Sequence, residues 1–168
     1  MALSLYDVSV PVFIRSLRNL SAILEKGRLH ADENGLPHGT LLDARLIEDM
    51  SALPAQIQRA SDAAKFVAVR VGGIAPVAME DDEASFDDLQ ARIAATIALL
   101  ESVPAHAMDG REEDDVTVQT PRQTLHFKAR DYVLHFALPN FFFHVTTAYG
   151  LLRHKGVPIG KMDFLGRP

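Results

Sequence analysis

The chain contains no cysteine. That removes disulfides, thiolate metal ligands and a cysteine nucleophile together, and it suits a reducing cytoplasm. Tryptophan is absent as well, so a flat ligand would have to stack on Phe, Tyr, His or Arg. Apolar residues make up 48% of the 168, yet no apolar run is long and clean enough to cross a bilayer. The opening segment, MALSLYDVSVPVF, has no basic stretch ahead of its apolar residues, which argues against a secretory signal. A positive excess is lacking too: the net charge of -5 argues against a general phosphate-binding surface and a nucleic-acid partner. There is no Gly-x-Ser-x-Gly elbow, no phosphate loop and no dinucleotide fingerprint. The expectation is one cytoplasmic domain over residues 1–168 with a sizeable core. No cofactor and no membrane partner are expected.

What is present is helical periodicity. Val10, Phe13, Leu17, Leu20 and Leu24 share one face of a helix over residues 9–26, with Pro11 in its first turn. Asn34-Gly35 marks a turn, and residues 40–45 read as one or two helical turns. A second long helix over 51–71 buries Leu53, Ile57, Ala60, Ala64 and Val67, and Gly72-Gly73 ends it. Ser85 and Asp88 form a capping pair for a third helix over 86–101. From 115 to 129 the period changes to two around Pro121-Arg122-Gln123, the pattern of a hairpin. A last helix follows over 130–154, stopped by Gly156 and Pro158. The fold class is therefore all-α, a four-helix bundle with a small β-hairpin before the last helix.

The last helix is the unusual one. Pro139 lies in its middle and cannot donate to the carbonyl of His135, so the helix should bend there. The bend either follows the bundle surface or opens a polar pocket toward His135 or Asn140. His135 and His144 are nine residues apart, about 900° of rotation, which sets them on opposite faces. Asn140 and His144 are four apart and share a face. His154 suits the negative end of the helix dipole.

Several stretches carry a resemblance: LSLYDVSVPVFIRSLRNLSAIL, LLDARLIEDM, DDEASFDDLQARI and RDYVLHFALPNFFFHVTTAYGLLRHKGVPIGKMDFLG. Together they resemble a family of uncharacterised bacterial proteins, carrying a domain-of-unknown-function label, within the DinB/YfiT-like superfamily. The resemblance implies a four-helix bundle with a hairpin or loop before the final helix. Many members of that superfamily depend on a metal, held by one histidine from the second long helix and two from the last. On that pattern His144 matches the final ligand, while Asn140 stands where its partner would be. The second long helix contains no histidine, and Ser61-Asp62-Ala63 occupies the corresponding region. His144 is thus the one weak metal candidate, and no metal site is expected.

Other features have bland readings beside sharper ones. Asp81-Asp82-Glu83 is a charge run at a helix start rather than a calcium loop. Arg45 and Asp49 read as a surface ion pair, and Tyr6 as a cap on the end of the bundle. His30, His38, His106 and His126 look solvated. Phe141-Phe142-Phe143 covers most of a helix circumference, so at least one ring must leave its own core, and a homodimer interface would explain that. The candidate pocket is Tyr6, His135, Asn140 and His144. The expected function is a non-enzymatic or small-molecule-binding homodimer. The alternative is a metal-dependent transferase- or hydrolase-like enzyme using His144 with unconventional ligands. Whether the protein is an enzyme at all stays open.

Overall fold

The computed structural model describes residues 3–166. Ser4 starts α1 (Leu5–Glu33): its hydroxyl accepts from the Asp7 N–H while the Asp7 carboxylate accepts from the Ser4 N–H. This box lies upstream of the start expected from Pro11. Pro11 therefore sits inside α1, not in its first turn, and Tyr6 is helical. The helix ends in a Schellman turn, with Gly35 at φ 63° and the Leu36 N–H donating to the Ala31 carbonyl.

A short α2 (Gly39–Leu42) leads to α3 (Leu53–Arg70), which has a proline in its first turn as expected. Arg45 does not pair with Asp49; it donates to the Met50 carbonyl at 2.7 Å and closes the intervening loop. Ser85 and Asp88 cap α4 (Phe86–Glu101) reciprocally. A 3-10 turn, Ala105–Met108, precedes β1 (Asp115–Gln119) and β2 (Thr124–Lys128), which pair antiparallel with Val116 opposite Phe127.

The last long element is continuous but unevenly wound. It comprises α5 (Ala129–Asp131), a π-helical segment (Tyr132–Ala137) and α6 (Leu138–His154). Pro139 falls at the start of α6, directly after the wide turns. The helix thus meets its proline by changing its winding, and π segments of this kind are frequent at functional sites. A final α7 (Lys161–Leu165) folds back on α1, where Asn19 donates to the Phe164 carbonyl and Lys26 pairs with Asp163.

Packing among the long helices runs in a ring: α3 lies against α6 and α4, and α1 against α4 and α6. One apolar cluster fills the ring, centred on Phe13, Leu17, Leu20, Ile57, Val67, Leu89 and Phe141. Fully burying each such side chain contributes roughly 1.5–3 kcal/mol. The α3–α6 contact is the most extensive between any two helices among the described residues. The fold is mostly helical with one small hairpin, as expected, and with more short helices than the periodicity revealed.

Candidate functional site

Where α3 and α6 part at the surface, a cleft of about 280 Å³ opens. From α3 come Arg59, Asp62, Ala63, Phe66 and Arg70; the last long helix gives Tyr132, Phe136, Ala137, Asn140 and His144; β1 closes one side with Val118 and Gln119. The hairpin is therefore a wall of the cleft. Its Phe127 packs 5.3 Å from Phe136 and 6.0 Å from Tyr132, ring centre to ring centre, and holds the aromatic end in place.

His144 is buried, and its Nδ1 lies 2.8 Å from Gln56 Oε1. Gln56 is oriented by its other end, since Nε2 donates to the Ser51 carbonyl at 2.9 Å. That leaves Oε1 as the acceptor, so His144 carries its proton on Nδ1. Nε2 keeps a lone pair and makes no hydrogen bond among the described residues. Burial, reinforced by the nearby Arg59 charge, pushes the His144 pKa down from 6.5 to about 4. The ring is neutral at pH 7 and presents a fixed acceptor.

The opposite end is built from stacked planes. Arg70 lies 4.3 Å from the centre of the Phe66 ring and 5.6 Å from that of Tyr132, and its Nη1 donates to Tyr132 Oη at 2.9 Å. Tyr132 is buried, and desolvation raises its pKa despite the Arg70 charge beside it. Asp62 is the cleft's carboxylate, but Lys65 Nζ at 2.7 Å and Arg92 Nη2 at 3.2 Å already hold it.

Of the four residues singled out from sequence, Asn140 and His144 line the cleft together. His135 does not: its side chain is 73% exposed and faces Asp131 at 3.8 Å. Tyr6 lies in the first turn of α1, half-buried against the core and outside the cleft lining. Gln56, Arg59, Phe66, Arg70 and Tyr132 were not singled out. Arg59, Phe66 and Arg70 do recur at spacings of seven and four, one face of α3 beside its apolar stripe. That signal was present but mute until α6 supplied the facing wall.

A divalent metal of the kind the superfamily resemblance suggests would find one imidazole nitrogen, the Asn140 amide and a carboxylate already shared between two cations. Two arginines line the same cleft. This donor set does not fit zinc or nickel. Among the described residues no group of three or more His, Asp or Glu side chains is placed to hold a metal.

Comparison with known proteins agrees with the fold. The crystal structure of a DinB family member protein from Shewanella denitrificans superposes with a TM-score of 0.89 at 35% identity, covering 98% of this chain and 93% of that one. No curated protein matches the chain. Residues 5–165 match the family described as "Domain of unknown function (DUF1993)", and the chain belongs to that family, within the DinB-like superfamily.

Proposed function

We propose that the protein is a cytoplasmic four-helix bundle that binds a small molecule in the α3–α6 cleft without a metal, and that it works as a homodimer. One observation carries the reading. A neutral histidine is locked by Gln56 with its free nitrogen available in a cleft that also holds an amide, an aromatic wall and two arginines. Convergent polar groups on an apolar, partly preformed concavity are what small-molecule sites are made of. The volume of about 280 Å³ sits near the lower edge of the roughly 300–1,000 Å³ such sites occupy. Phe143, 56% exposed next to the buried Phe141, supports the dimer.

The test is a thermal-shift screen of small metabolites against the native protein and His144→Ala. Compounds that raise the melting temperature of the first and not of the second support the reading. A screen in which every stabiliser acts equally on both variants would overturn it.

A metal-dependent transferase- or hydrolase-like enzyme is the second reading, favoured by one feature. Gln56 accepts from the far nitrogen of His144, as hydrogen-bond acceptors do behind histidines that ligate a metal. Elemental analysis of protein purified without an affinity tag decides it: stoichiometric zinc, nickel or iron would replace the first reading with this one.

A further inference from the structure

We infer that the molecule the α3–α6 cleft takes is a small organic carboxylate with a flat apolar body and a hydroxyl or N–H group at its far end. The inference rests on that cleft being the binding site and goes on to its chemistry. The chain as a whole carries a net charge of -5, yet the formal charges left uncompensated in the cleft are positive. Asp62 is neutralised by Lys65 and Arg92. Arg59 makes no hydrogen bond or ion pair among the described residues. Arg70 has a single hydrogen bond among them, to Tyr132.

The two arginines differ in a useful way. The Arg70 guanidinium is pinned between Phe66 and Tyr132, so it is already ordered before a ligand arrives, and its remaining N–H groups are unused. A planar fork held in this way matches a carboxylate and loses little entropy in doing so. Arg59 is eleven residues earlier, within about 20° of the same helix face and roughly 16 Å away along α3. It is exposed and lies near His144, so its charge adds to the positive field of the cleft at the end away from Arg70. Between them the walls are Phe66 and Phe136 rings with Ala63 and Ala137, which suits a flat apolar body. His144 Nε2 is an acceptor without a donor, and it would take the hydrogen of a ligand hydroxyl or N–H. A cation meets repulsion from both arginines here. A neutral molecule leaves both unsatisfied.

Three probes of one shape and different charge test this: 4-hydroxybenzoate, 4-hydroxybenzamide and 4-hydroxybenzylamine, titrated into uniformly labelled protein and followed by amide chemical shifts. The expected result is that 4-hydroxybenzoate perturbs residues of α3, the π segment and α6 around the cleft. It should bind roughly tenfold tighter than the amide, about the worth of one charge-assisted hydrogen bond, with the amine weakest. In Arg70→Gln, which removes the fork at the carboxylate end, the preference for carboxylate over amide should shrink severalfold, and Arg59→Gln, at the His144 end, should change it less. Equal affinities, a preference for the amine, or an undiminished preference in Arg70→Gln would overturn the carboxylate and leave the cleft as a binding site. No perturbation at the cleft by any probe would overturn both.

Discussion

His144 and Gln56 join α6 to α3 by a single hydrogen bond of 2.8 Å that fixes which imidazole nitrogen carries the proton. The consequence for stability has a definite sign. The folded pKa of about 4 lies below the ordinary 6.5. Between those values the unfolded chain holds a proton that the folded protein refuses. The stability contribution is present in full above 6.5 and is lost as the pH falls toward 4. At about 1.36 kcal/mol per unit the loss is at most roughly 3 kcal/mol, less whatever water entering from the cleft restores. Urea unfolding at pH 7 and pH 4.5 should show the native protein losing about 1–3 kcal/mol more than His144→Gln. Equal losses in the two would mean that His144 titrates as it does in an unfolded chain.

Pro139 places the aromatic half of the cleft. Tyr132, Phe136, Asn140 and His144 follow one another at intervals of four and all line it. In a uniform α-helix each step of four advances about 40°, so Tyr132 would stand roughly 120° away from His144. The π-helical turns over Tyr132–Ala137 close one residue later and unwind part of that drift. Pro139→Ala restores an N–H at that point and removes the ring, allowing the segment to rewind. A crystal structure of the variant should show α-helical winding through residues 132–137, with Tyr132 and Phe136 turned from the cleft. Ligand binding should fall while the melting temperature stays within a few degrees. A retained π segment would show that the hairpin contacts, not the proline, impose it.

The parts of the fold that depend on neighbours in sequence were legible there. Ser85 with Asp88, Gly72-Gly73 and the alternation around Pro121 each act within a few residues, and the structure has a capped helix, a helix end and a hairpin at those places. Pro11 inside α1 gives the same local pattern as a proline in a first turn, and only the capping box at Ser4 and Asp7 separates the two. The π segment could not be read, since a spacing of four fits both windings. Gln56, Arg59 and Arg70 gain meaning only from the side chains of the last long element opposite them. Arg92 carries no local signal of its burial: it lies beside the apolar stripe of α4, where a charged residue is normally at the surface, yet it is 4% exposed.

Arg92 explains the acidic run before α4. Its Nη1 meets Asp81 at 2.9 Å, Glu83 at 2.8 Å and the Glu80 carbonyl at 3.0 Å, while Nη2 reaches Asp62. Asp81 and Glu83 are therefore tied to the helix body. Burial alone would raise the Glu83 pKa, but hydrogen bonds from Arg92 and Gln58 outweigh it and hold the carboxylate below its ordinary range. Its stabilisation is present above the unfolded value of 4.5 and disappears as the pH falls through the lower folded value. Arg92→Met strands Glu83, whose side chain is 8% exposed, and should cost about 3–5 kcal/mol by urea unfolding. Adding Glu83→Gln should recover part of that. A single-variant cost under about 1 kcal/mol would show that solvent, not Arg92, satisfies the run.

The three consecutive phenylalanines divide as helix geometry requires. Phe141 is fully buried, 4.8 Å from Phe13 between ring centres; Phe142 is half-buried; Phe143 is 56% exposed. The exposed ring of Phe143 is the observation on which the proposed homodimer rests. Phe143→Ser should leave monomer stability nearly unchanged, as a surface substitution does, within about 0.5 kcal/mol. It should shift the mass measured by light scattering on a sizing column from dimer toward monomer. His144 packs edge-on against Phe143 at 5.2 Å, so dissociation should also be visible as a change in the His144 ring resonances. A native protein that already runs as a monomer at high micromolar concentration would remove the dimer from the account and leave Phe143 as an isolated surface ring.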